Sequence, residues 1–202
     1  MKEILKNLHP DEQNAIRALC RLYKKVENET ARFAKLTGIH CPEKCGICCA
    51  TAKVETTPLE MLPLAVELWS KDKGFFWLKK LDAKPNARIC VFFKSDPKNK
   101  KMGRCSVYSL RPLICRLFGF CATKNKQGKS VYGGCKIIKN KYRSKFLAAQ
   151  KIVAATPRLL KMSDLSAQIY GLGSSADEKI LPINLATRHA LEKIGFILEK
   201  KQ

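Results

Sequence analysis

The sequence predicts an α+β fold that is mostly helical, with a small β-hairpin and a cysteine-rich core flanked by N- and C-terminal helices. Three observations carry this prediction. Apolar residues recur at helical spacing near both ends of the chain. Two short β-rich runs lie in the middle, separated by a polar loop. Nine of the ten cysteines fall between Cys41 and Cys135. A length of 202 residues suits a single domain. Its expected parts are an N-terminal helix within 1–40, a cysteine core over 41–136 and a helical extension over 137–202.

The first helix is predicted from Pro10 to Leu36, because Ile16, Leu19, Tyr23, Val26 and Phe33 share one face. Pro10 suits the first helical position, Asp11 and Glu12 suit the positive end, and Gly38 can close the helix. Cys20, beside Leu19 and remote from the other cysteines, reads as a core residue. Thr57-Pro-Leu-Glu60 has the spacing of a capping box and opens a second helix towards Trp69, which Pro63 is expected to bend or restart. Phe75–Leu81 suits a short helix. Arg88–Lys94 and Gly103–Tyr108 read as the two strands of a hairpin that would bring Cys90 and Cys105 together. Pro112 begins a short helix carrying Cys115, which Gly119 can end. Ser130–Tyr132 suits a small strand. Lys136 to about Ala155 reads as one helix, interrupted by Pro157, with a further helical segment after it. Gly171–Ala176 reads as a loop, and a last helix runs from about Ile183 to Lys200.

Composition narrows the function. No secretory signal and no apolar run long enough to span a membrane are seen, so the expected location is the cytoplasm. Thiols in that compartment serve metals more often than disulfides. The net charge is +22, and residues 71–145 hold 21 Lys or Arg against three acids, Asp72, Asp82 and Asp96. Such a surface attracts acidic proteins or phosphate backbones. Yet no nucleic-acid motif accompanies the charge, and part of it can compensate anionic thiolates. A solvated basic face and compensation of the thiolates are therefore favoured over nucleic acid, and an acidic protein stands as a further candidate partner.

The cysteines form two groups. Cys41-Pro-Glu-Lys-Cys45-Gly-Ile-Cys48-Cys49 places four soft ligands in nine residues, and Cys45-Gly-Ile-Cys48 has the two-residue gap of a metal knuckle. Gly46 is expected to supply a tight turn. Cys48 and Cys49 would point to opposite sides of an extended chain, so either the chain curls there or the two thiols serve different metals. The second group is Cys90, Cys105, Cys115, Cys121 and Cys135. Cys115, near a helix start and flanked by Arg111 and Arg116, is expected to be a stabilised thiolate. His40 adjoins Cys41 and could be a ligand or a hydrogen-bond donor to one, but the favoured reading is an exposed loop residue; His189, on a late helix, reads as a surface residue.

Cys41-x3-Cys45-x2-Cys48-Cys49, Cys90, and Cys105-Ser-Val-Tyr-Ser-Leu-Arg-Pro-Leu-Ile-Cys115-Arg-Leu-Phe together resemble the YkgJ-type cysteine-cluster family of zinc- or iron-chelating domains. The resemblance spans about residues 41–136. It implies metal ligands at Cys41, Cys45, Cys48, Cys49, Cys90, Cys105, Cys115 and Cys135. Tyr108, Arg111, Pro112 and Arg116 are then supporting residues. Cys121 departs from the pattern and stands as a candidate extra ligand. The flagellin lysine methylases carry a similar motif linked to an iron–sulfur cluster, which raises iron–sulfur above zinc.

The sequence thus implies a metal-binding protein holding iron–sulfur or zinc, its eight thiolates suiting two four-ligand sites (two four-iron clusters or two zincs) or one cluster and one zinc. One alternative is an iron–sulfur oxidoreductase or methyltransferase-like enzyme, and a second is a basic nucleic-acid-binding protein. Catalysis is left open. No phosphate-binding glycine loop and no Gly-x-Ser-x-Gly elbow is found, and the few acids near the second group leave little carboxylate for acid–base work.

Overall fold

The computed structural model describes residues 2–51, 54–85, 87–99, 102–156, 161–173 and 177–200. Helices α1 (Lys2–Asn7) and α2 (Pro10–Thr37) open the chain. Strand β1 (Glu55–Thr56) leads into α3 (Pro58–Trp69) and α4 (Gly74–Asp82). The hairpin strands β2 (Phe93–Ser95) and β3 (Gly103–Cys105) precede a 3-10 turn (Tyr108–Leu110) and α5 (Leu113–Leu117). Strands β4 (Ala122–Lys124) and β5 (Ser130–Tyr132) lead to α6 (Lys136–Lys141), α7 (Arg143–Ala155) and α8 (Met162–Ala167). Strand β6 (Leu181–Pro182) and α9 (Ile183–Glu199) end the fold. The result is mostly helical, with small antiparallel strand pairs β1–β6, β2–β3 and β4–β5.

Helix α2 forms as its sequence predicts. Ile16, Leu19, Tyr23, Val26 and Phe33 are buried, Pro10 starts the helix, and Gly38 ends it in the left-handed conformation. His9 caps it, sharing a capping box with Glu12. Cys20 is exposed rather than in the core, because it lies one helical step off the buried stripe of Ile16, Leu19, Tyr23 and Val26. Helix α3 is capped by Thr57, whose Oγ1 accepts the Glu60 amide at 3.2 Å. It runs unbroken through Pro63: the residue is buried, and packing against α9 outweighs the lost hydrogen bond. The indole Nε1 of Trp69 donates to the Leu191 carbonyl at 2.9 Å and ties α3 to α9. Aliphatic side chains from both helices, including Leu62, Leu64, Val66, Leu191 and Ile194, are almost fully buried. Each such side chain contributes roughly 1.5–3 kcal/mol on leaving water.

The stretch expected as one helix over 136–155 is two, α6 and α7, separated at Tyr142, where φ is −127° and ψ is 50°. Pro157 and residues 174–176 of the expected loop lie outside the described residues. The pairs β1–β6 and β4–β5 are only two or three residues long per strand. No helix among the described residues is long and apolar enough to cross a membrane.

Candidate metal centre

The Cys41–Cys49 knot lies between α2 and β1 and is held by turns rather than by regular structure. The Cys45 amide donates to the Pro42 carbonyl at 3.1 Å, and the Cys49 and Ala50 amides both donate to Gly46 at 2.9 Å. The chain therefore curls at Cys48-Cys49, which settles how adjacent thiols can face one region. The left-handed residue in the knot is Lys44, with φ of 54°. Gly46 is required for a different reason from the turn conformation its sequence suggests. A Cβ there would stand 2.1 Å from the Phe93 ring, and Gly103 backbone lies close behind it. The knot thus sits directly on the β2–β3 hairpin. The Gly103 amide donates to Lys44 O at 2.8 Å, and Lys44 Nζ pairs with Asp96 at 3.1 Å.

The hairpin supplies Cys105, which pairs in register with Phe93. Cys90 is not on a strand, contrary to expectation. Its amide donates to the Cys49 carbonyl at 3.2 Å, and its carbonyl accepts the Phe93 amide in a turn. The side chain of Asn184, on α9, holds this segment in place of a partner strand. It donates to Ala87 O and Ile89 O at 3.0 Å and accepts the Val91 amide at 2.9 Å. Cys90 and Cys49 are joined directly by backbone, and Cys105 approaches from the neighbouring hairpin.

Cys115 lies on α5, and its amide donates to Pro112 O at 3.1 Å. Its thiol is pushed up by burial, with nearby Cys90 adding to the effect, against a lowering from Arg111. Burial therefore outweighs the helix start that was expected to favour the thiolate. Arg111 is placed by its Nε on Tyr108 O at 2.9 Å and its Nη1 on Cys115 O at 3.0 Å. Its guanidinium stacks 3.5 Å from the centre of the Tyr108 ring. Arg116 is held by oxygen acceptors rather than by the thiols. Its buried guanidinium pairs with Glu27, donates to Arg111 O at 2.7 Å and Ser109 O at 2.5 Å, and lies over the Tyr23 ring. It braces the backbone that carries Arg111 and Cys115.

Seven cysteines line one cavity of about 210 Å³: Cys41, Cys45, Cys48, Cys49, Cys105, Cys115 and Cys135. Beneath it, a void of about 10 Å³ is lined by Cys49, Cys90, Cys105 and Cys115. All eight cysteines implied as ligands border one or the other, and Cys49, Cys105 and Cys115 border both. Cys121 borders neither. Its sulfur sits by the β4–β5 end, where a Cβ on Gly133 would come within 3.3 Å. His40 and His189 are exposed, as expected.

A family model described as "Putative zinc- or iron-chelating domain", CxxCxxCC, matches residues 40–152, more than half of the chain. The chain belongs to the CxxCxxCC family. The matched span holds both cysteine groups and reaches into α7, further than the core boundary at 136 expected from the sequence. No curated protein and no solved structure matches the chain.

The chemistry of the CxxCxxCC donor set suits a soft metal, since among the described residues only thiols line the inner void as candidate side-chain donors. The thiols hydrogen-bond among themselves. The Cys49 thiol lies between Cys48 and Cys105 and, as their shared donor, is pushed far up while they are lowered, Cys48 to about 6 and Cys105 to about 7. Arg111 adds to both lowerings. Burial raises Cys41 to about 12, with Cys45 adding to it, and burial raises Cys90 to about 12. Among the described residues no three His, Cys, Asp or Glu groups are arranged to hold a metal ion as they stand. Thiol donors nonetheless suit a soft metal, which takes them up deprotonated.

Two contributors carry no signal as site residues in the sequence reading. Glu60 was legible only as a helix-cap residue, yet its carboxylate reaches the start of α5. Asn184, far along the chain, shapes the Cys90 turn and has no local motif.

Proposed function

We propose that this protein holds an iron–sulfur centre whose ligands are drawn from Cys41, Cys45, Cys48, Cys49, Cys90, Cys105, Cys115 and Cys135, with zinc as the competing occupant. The observation that carries the reading is the sharing of Cys49, Cys105 and Cys115 between the cavity and the void beneath it. Shared thiols favour one contiguous polynuclear centre over two separate four-ligand sites. A cavity of about 210 Å³ is also roomier than one tetrahedral ion needs. Once bound, the metal would join the knot, the hairpin and α5, which backbone hydrogen bonds link only sparsely. Tyr108, Arg111 and Arg116 support this set, Arg111 as the nearby cation and Arg116 as the brace. Cys121 stands apart as a spare thiol, so it gives no support to an enzymatic reading.

The test is anaerobic purification followed by iron, sulfide and zinc determination and a visible spectrum. A brown protein with stoichiometric iron and acid-labile sulfide is expected. A colourless protein with stoichiometric zinc would assign the site to zinc instead, and a protein with neither would remove the reading.

A further inference from the structure

The cavity over the thiols is open, and its rim differs in character from its floor. Ile47, Tyr108 and Phe118 line it and are all exposed, Tyr108 to 60%. Isolated exposed apolar groups are ordinary on a surface, but here three converge on one mouth. Among the described residues, no Asp or Glu lines the cavity. Its best-placed cation is Arg111. Nε and Nη1 of that residue are engaged by Tyr108 O and Cys115 O, and Nη2 has no partner among the described residues. No buried side-chain nitrogen or oxygen lacks a partner among those residues, so Nη2 reaches open space. The stack on Tyr108 fixes the guanidinium plane before any ligand arrives.

A fixed guanidinium with a free edge pairs well with a carboxylate, and the apolar rim suits a compact hydrophobic body attached to it. We infer that the cavity mouth binds a small amphipathic carboxylate, its charge on Arg111 and its apolar body against Tyr108, Ile47 and Phe118. This rests on the reading of the cavity as the metal centre and makes that centre accessible to an outside ligand. It assigns no reaction to it.

The test uses the full-length protein as purified anaerobically, titrated with benzoate and, in parallel, with benzamide, which has the same shape without the charge. Saturable benzoate binding is expected, with benzamide at least tenfold weaker. Arg111→Gln should lower benzoate affinity at least tenfold, and Phe118→Ala at least threefold. Equal binding of the two probes, no benzoate binding, or unchanged affinity in both variants would overturn the inference. Should Arg111→Gln fail to fold, Phe118→Ala carries the test, and unchanged affinity there overturns the inference. Metal content measured on the same samples reports separately on the metal reading, so loaded protein that ignores benzoate refutes this inference alone.

Discussion

Glu60 Oε1 accepts the backbone amide of Leu113 at 2.7 Å, joining the first turn of α3 to the first residue of α5. The same carboxylate accepts Thr56 Oγ1 at 2.9 Å and Tyr23 Oη at 3.4 Å. One buried acid, 9% exposed, therefore ties α2, β1 and α3 to the short helix bearing Cys115. An acid in such a place is retained because every donor around it would otherwise be orphaned.

Glu60→Ala should cost about 3 kcal/mol or more, since it leaves several buried donors unpaired. It should also lower metal occupancy by loosening α5. Denaturant unfolding and metal analysis of the same variant check both. Glu60→Gln keeps an acceptor and should lose less on each measure.

The acidity of Glu60 gives the stability a pH dependence. Burial raises its carboxyl above the ordinary value of 4.5, against lowering by the Leu113 amide and Thr56. The folded state thus holds the proton more tightly than the unfolded chain. The associated stability is fully present below 4.5 and is lost as pH rises through the raised folded value. Unfolding midpoints measured from pH 4 upward should show this decline, and it should be absent in Glu60→Gln.

Gly46 and Phe93 should be energetically coupled. Gly46→Ala forces a Cβ into the Phe93 ring, which must move with the knot or the hairpin. A loss of about 1–3 kcal/mol is expected from overpacking. Adding Phe93→Leu should recover part of it. A double-mutant cycle showing strict additivity would contradict the contact.

Serine substitution should divide the cysteines. Replacing any of Cys48, Cys49, Cys90, Cys105 or Cys115 should sharply lower bound metal. Cys20→Ser and Cys121→Ser should retain it, because the first is exposed on α2 and the second borders neither cavity. Metal-to-protein ratios across the seven variants decide this. Loss of metal in Cys121→Ser would return that thiol to the ligand set.

The helices were legible because their apolar spacing and end residues agree. In α2 the buried stripe, Pro10 and Gly38 all point to the same boundaries. The cysteine set was legible as a group through its density and spacing. Cys90 was misplaced on a strand because its β-rich neighbours are held instead by Asn184, nearly a hundred residues away. Cys20 was misread because one step along a helix separates its exposed position from the buried Leu19. The electrostatics of Cys115 also escaped a local reading, since burial is a property of the assembled fold. Glu60 shows the same limit: its capping role is written in Thr57-Pro-Leu-Glu60, but its reach to Leu113 is not.

The central claim is that thiolates from both cysteine groups ligate one metal centre. X-ray absorption at the metal edge of anaerobically purified protein tests it most directly. The account predicts a shell made of sulfur at about 2.3 Å, diminished in both Cys48→Ser and Cys115→Ser, one variant from each group. A first shell of oxygen or nitrogen, or a sulfur shell indifferent to both substitutions, would contradict it.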